Sequence, residues 1–82
     1  MTSILARTEG ATAQRVWFAR DMLWVRLADG RELGVPLEWF PVLAHATPEQ
    51  RERFEIFDQG FGIHWPDLDE DISVLGLLGL PD

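Results

Sequence analysis

Arg15-Val16-Trp17-Phe18-Ala19-Arg20-Asp21-Met22-Leu23-Trp24-Val25-Arg26-Leu27-Ala28-Asp29-Gly30-Arg31-Glu32-Leu33-Gly34-Val35-Pro36 is the stretch that decides the fold. Val16 and Phe18 alternate with Trp17 and Ala19; Leu23, Val25 and Leu27 alternate with Trp24 and Arg26. A period of two marks half-buried strands, because successive side chains point to opposite faces. If Arg20-Asp21 is a two-residue turn, Phe18 faces Leu23, Val16 faces Val25 and Trp17 faces Trp24. One face then carries Val16, Phe18, Leu23, Val25 and Leu27, and the other a cross-strand tryptophan pair. At Ala28-Asp29-Gly30 a strict two-residue turn would set Leu27 opposite Glu32 and leave Leu33 and Val35 on the wrong face. A three-residue loop with Gly30 left-handed instead pairs Val25 with Leu33 and Leu23 with Val35. The reading is a three-stranded antiparallel meander.

Downstream, Pro36 ends the third strand. Leu37 to Ala46 reads as a helix with Pro41 in a first turn, where the missing N–H does no harm. Thr47-Pro48-Glu49-Gln50 is a helix start: Thr47 caps, Pro48 takes the first helical position and Gln50 completes a capping box. That helix is expected to reach Phe54 or Glu55. Ile56 to Trp65 reads as a short strand pair broken at Asp58-Gln59-Gly60. The acidic residues after Trp65 read as a turn leading into a last short helix, capped by Ser73, running through Leu78 and stopped by Gly79 and Pro81. Whether Trp65-Pro66 is cis is left open. Upstream, residues 1–12 form either a loosely ordered segment or an edge strand built on Ile4 and Leu5. The fold class expected is α+β: a three-stranded antiparallel β-meander packed with short helices, plus a short C-terminal strand pair and a final short helix, all in one domain over 1–82. The expected core is the meander face with Leu33 and Val35, packed on Leu43, Phe54 and the last helix.

Eighty-two residues suit one domain. A chain this short buries roughly 60–65% of its unfolded surface, so its stability is modest. There is no cysteine, hence neither a disulfide nor a thiolate metal site. The formal net charge is −7, and all seven positive side chains are arginines scattered among acids. Direct nucleic-acid binding would need a basic footprint, and none is visible. An acidic chain suits a basic partner, or owes its charge simply to solubility. The N-terminus lacks a signal-peptide pattern, and the apolar run Val74 to Leu80 is too short to span a bilayer. A cytoplasmic location is the expectation.

Gly62-Ile63-His64-Trp65-Pro66-Asp67-Leu68-Asp69-Glu70-Asp71-Ile72-Ser73-Val74 is dense in aromatic and acidic residues, yet matches no catalytic or metal motif. Asp67, Asp69 and Asp71 have the spacing that opens a calcium loop, but Ile72 stands where glycine is needed and Leu78 where a bidentate glutamate is needed. His45 and His64 each lack a partner ligand at helical spacing. Ser3, Ser73 and the threonines show no nucleophile elbow and no adjacent base. The glycines do not form a phosphate loop. No metal, no cofactor and no catalysis are therefore expected. Trp17 and Trp24, with Met22 beside Trp24, form an apolar patch on the outer sheet face. It is covered either by the N-terminal segment or by another chain, a homodimer included.

Four segments together resemble a known family: Leu27-Ala28-Asp29-Gly30-Arg31; Val35-Pro36-Leu37-Glu38-Trp39-Phe40-Pro41; Ala46-Thr47-Pro48-Glu49-Gln50-Arg51; and Gly62 to Val74. They resemble the bacterial domain-of-unknown-function family 2442 (DUF2442), over about residues 14–79. The resemblance implies a small α+β fold and no established activity. It also implies gene neighbours that are small basic proteins, in pairs resembling toxin–antitoxin modules. Some relatives carry a helix-turn-helix domain, for which this chain has no room. The chain departs from the pattern at Val42, where arginine is expected, and at Phe54, where tryptophan is expected. Trp17 and Trp24 replace smaller or polar strand residues. Without the arginine, nothing supports a shared ligand contact at position 42.

The function expected is a non-catalytic protein-interaction module, the acidic, antitoxin-like partner of a small basic protein. Its expected contacts are Trp17, Trp24, Glu38, Trp39, His64, Trp65, Asp67, Asp69 and Glu70, with Asp71 completing an exposed acidic edge. The alternatives are a DNA-associated transcriptional regulator acting within an oligomer or complex, and a small enzyme using His64 and nearby carboxylates.

Overall fold

The computed structural model describes residues 10–79. The expected edge strand at Ile4 and Leu5 lies outside the described residues. Strands β1 (Ala13–Ala19), β2 (Met22–Leu27) and β3 (Glu32–Pro36) form an antiparallel sheet in chain order. Its register is the expected one: Val16 pairs with Val25, Trp17 with Trp24, Phe18 with Leu23, Val25 with Leu33, and Leu23 with Val35. Arg20 and Asp21 are both left-handed, at φ 55° and 62°, as a two-residue hairpin turn of the strand-matching hand requires. The Leu37 amide donates to the Asp21 carbonyl at 2.9 Å, tying this turn to the exit of β3. In the second turn Gly30 is left-handed, at φ 94°, and Asp29 accepts from both the amide and the side chain of Arg31. A bulge at Ala13–Arg15 bends β1. The chain before it stays beside this turn, where Thr12 and Gly10 carbonyls accept from the Ala28 and Asp29 amides.

The segment after β3 is less helical than expected. Leu37–Trp39 is one 3₁₀ turn, and helix α1 spans only Pro41–Ala44. Phe40 between them is non-helical (φ −128°, ψ 81°), because the proline ring after it disfavours the helical region. Helix α2 (Pro48–Glu52) carries the full capping box of Thr47 and Gln50. It stops short of Phe54, since Arg53 leaves helical geometry (φ −93°, ψ 68°). Glu55 is thereby freed to begin a strand.

Strands β4 (Glu55–Phe57), β5 (Gly62–Trp65) and β6 (Glu70–Ser73) form a second antiparallel sheet. The expected strand pair is thus joined by a third strand, where an acidic turn into a helix was expected. A 3₁₀ turn at Pro66–Leu68 and left-handed Asp69 (φ 51°) reverse the chain, so that Glu70 pairs with Trp65 and Asp71 with His64. The Trp65–Pro66 peptide is trans. Ser73 then caps α3 (Val74–Leu77), accepting from the Gly76 amide at 3.1 Å.

The two sheets share one core. Val16, Leu23, Val25 and Leu27 of the first sheet meet Ile63, Trp65 and Ile72 of the second and Val74 at the start of α3, with Leu37 and Leu43 closing one side. Phe18, Leu33 and Phe54 pack at its margin, half-buried, instead of at its centre. Gly60 rests on Thr12, where a Cβ would come within 2.7 Å of the threonine Cβ, so the turn between β4 and β5 lies flat against the strand entry.

A candidate binding face on the second sheet

Strand parity builds the face. Ile56, Ile63 and Ile72 pair across the three strands, and Ile63 and Ile72 are buried in the core. Their neighbours must therefore point outward. Glu55, His64 and Asp71 form one outward row; Phe57, Gly62 and Ser73 form the next. Gly62 has no side chain, and the Phe57 ring lies across it: a Cβ there would sit 2.5 Å from the ring. Phe57 also meets His64 edge-on, with ring centres 6.3 Å apart, and stays 45% exposed.

The face is acidic. His64 Nδ1 is hydrogen-bonded to Asp71 Oδ1. That bond is the main cause that lifts the histidine above its ordinary value; the charges of Asp71, Glu55 and Asp69 add to it, and partial desolvation opposes them. Glu55 and Asp58 make no ion pair among the described residues. A shallow cavity of about 410 Å³ lies between Phe57, Phe61 and Leu75, with Asp58 and Asp71 on its wall. A second, of about 340 Å³, opens on Glu55, Ile56 and His64. A third, also about 340 Å³, runs between Trp39, Phe40 and Leu77. Asp71 lines all three, and no arginine lines any of them.

The residues expected as contacts are dispersed by the fold. His64 sits at the centre of this face, and Trp39, 68% exposed, stands at its flank beside Glu38. Trp65 does not reach the surface. It is fully buried, its ring packed by Phe18 and Phe54 and its indole N–H donating to the Arg51 carbonyl at 2.9 Å. Its parity with Ile63 sends it inward, so it anchors the core and is no partner contact. Nor do the acids make one edge. Asp67 pairs with Arg53 at 3.0 Å, Asp69 is an exposed turn residue, and Glu70 shares the inward parity of its partner Trp65. Asp71 alone of that run joins the face. Glu55, Phe57, Asp58 and Phe61 were not anticipated there. The signal for Glu55 and Phe57 was their spacing of two, which matches His64 and Gly62 across the strand pair.

Trp17 and Trp24 lie on the outer face of the first sheet, stacked at 6.2 Å between ring centres and 11° between planes. Arg15 covers Trp17 at 5.0 Å, and Trp24 covers Gly34. Both rings are half-buried. Whether the N-terminal segment adds cover falls outside the described residues. Among those residues, no three histidine, aspartate or glutamate side chains converge as metal ligands, and no helix is long and apolar enough to cross a membrane.

The comparisons with known proteins agree with this architecture. The model of the family described as "Protein of unknown function (DUF2442)" matches residues 13–80. An uncharacterized protein from Chromobacterium violaceum, solved in solution by NMR, is 33% identical with a TM-score of 0.71; the match covers 83% of this chain and 64% of that one. A crystal structure of a protein of unknown function from Rhodospirillum rubrum is 32% identical with a TM-score of 0.72, covering 84% of this chain and 87% of that one. The chain thus spans less than two thirds of the first relative's length. No curated protein matches the chain.

Proposed function

The chain belongs to the DUF2442 family, and we propose that it is a non-catalytic binding module that receives a basic protein on the outer face of its second sheet. The observation that carries this reading is the composition of that face. Glu55, Asp58 and Asp71 surround a half-exposed Phe57, and the three cavities there contain no arginine. Clustered carboxylates speed encounter with a cationic surface, and an aromatic side chain supplies the desolvated anchor that holds it. The net charge of −7 extends the same field over the molecule. The finer reading is an antitoxin-like role toward a small basic protein, which rests on the gene company implied by the family resemblance. A phosphate backbone would be repelled by this face, so direct DNA binding is the weaker alternative.

Co-expression with the product of the adjacent open reading frame tests the reading. A complex that co-purifies at low salt, and weakens as salt rises, is the result expected. If the two proteins are produced folded and elute separately at low salt, the proposal falls.

A further inference from the structure

The cavity beside Phe57 has a chemistry of its own. Its wall is aromatic and aliphatic, from Phe57, Phe61 and Leu75, and carboxylates stand on that wall at Asp58 and Asp71. Phe57 is held flat by Gly62 beneath it and keeps 45% of its surface open. Asp58 is placed at the cavity by a left-handed run, Asp58, Gln59 and Gly60 at φ 53°, 57° and 97°. No cation among the described residues pairs with it. His64 Nδ1 already holds Asp71 Oδ1, so Asp58 is the unpaired carboxylate at the cavity and Asp71 offers its second oxygen. An apolar ligand would leave Asp58 unpartnered, and an anion would be repelled. A compact ammonium is strongly hydrated and gains little from the ring. A guanidinium is planar, more weakly hydrated, stacks on aromatic faces and forks onto carboxylates.

We propose that this cavity is a subsite for one arginine side chain of the basic partner, stacked on Phe57 and hydrogen-bonded to Asp58 and Asp71. The inference rests on the binding-module reading above and names the chemistry of its central contact. Glu55 and His64 then flank the partner's neighbouring residues in the adjoining cavity.

The test uses the full chain and three blocked glycine pentapeptides whose central residue is arginine, lysine or citrulline. Backbone amide shifts are followed by NMR at low salt. The arginine peptide is expected to give saturable shifts concentrated at Phe57, Phe61 and Gly62. Lysine should bind at least about threefold more weakly, and neutral citrulline should give no saturation. Phe57→Leu keeps an apolar side chain and Asp58→Asn keeps a residue tolerant of the left-handed turn. Each should weaken the arginine peptide by about threefold or more while the melting temperature stays close to that of the unsubstituted chain. Shifts spread evenly over α2 and Asp67–Asp69, equal binding of lysine, or a folded Phe57→Leu that binds as tightly as the unsubstituted chain would each overturn the subsite. The two readings fail separately. A basic partner whose affinity is untouched by both substitutions removes the subsite alone. Absence of any complex removes the wider reading, and the peptide shifts still decide the subsite.

Discussion

The indole N–H of Trp65 donates to the backbone carbonyl of Arg51 at 2.9 Å, and the Arg51 guanidinium in turn donates to the carbonyls of Leu43 and Ala44 at 2.8 Å each. One buried ring thus fixes α2 to the second sheet, and α2 fixes the end of α1. The carbonyls at the end of a four-residue helix would otherwise lack partners. This chain of bonds holds together segments too short to be stable helices alone.

Trp65 is therefore the position where truncation should cost most. Trp65→Ala removes a fully buried ring and should lower stability by about 3–5 kcal/mol. Trp65→Phe keeps most of the packing but leaves the Arg51 carbonyl unpaired, a loss of about 1–3 kcal/mol. Urea unfolding measures both; a Trp65→Ala variant as stable as the unsubstituted chain would remove Trp65 from the core.

The first hairpin carries two non-glycine residues in the left-handed region. Replacing Arg20-Asp21 by Asn-Gly relieves part of that cost, about 1–2 kcal/mol per residue, and leaves the Asp21 carbonyl contact to Leu37 available from the glycine backbone. The melting temperature should rise. A fall would show that the Arg20 or Asp21 side chain contributes more than the turn strain.

Gly62→Ala tests how the candidate face is built. Its methyl would overlap the Phe57 ring, the far end of a half-exposed side chain that can swing away. The substitution is expected to shift the melting temperature little, yet to weaken binding of the proposed basic partner, as is expected of Phe57→Leu. Full binding by a folded Gly62→Ala variant would show that the flat ring is not required.

His64 supplies a pH signature. Its folded-state value lies above the ordinary value of about 6.5, chiefly through the Asp71 hydrogen bond. A raised value means that protonation favours the folded state. The stabilisation is complete below about pH 6.5 and is lost as pH rises through the folded-state value. NMR titration of the imidazole should show the raised midpoint, and Asp71→Asn should bring it down. An unchanged midpoint in Asp71→Asn would assign the shift to other charges.

The two stacked tryptophans should couple optically. Trp17→Thr or Trp24→Thr should each abolish an exciton band in circular dichroism and leave the sheet intact, since their rings lie on its outer face. A band that survives either substitution would contradict the stacking.

Sequence alone reaches the first sheet in full register, because each determinant is local: alternation from Val16 to Val35, a two-residue turn and a glycine loop. It reaches the strand pair within 56–65 and stops at the third strand of the second sheet for physical reasons. Strand β6 is written with Glu70 and Asp71, residue types poor in strand propensity, and its pairing depends on a left-handed Asp69 that no hydrophobic period announces. The helix after Pro36 looked longer than it is because apolar content hid the break at Phe40. At the candidate face, His64 was legible as a polar residue between inward strand positions. Glu55 was not, because it was assigned to the end of a helix, and Phe57 lay in the expected strand pair without being singled out as a contact. Trp65 was misplaced on the surface although its spacing from Ile63 already set it inward.

The proposed docking site for a basic partner is the second-sheet face, not acidity at large. The most direct measurement compares the partner's affinity for two double variants with the same change in net charge: Glu55→Lys with Asp58→Asn on the face, and Glu52→Lys with Asp67→Asn away from it. Calorimetry at low salt should show the first pair weakening the complex by about tenfold or more and the second by about threefold at most. Equal losses from the two pairs, with both variants folded, would contradict the claim.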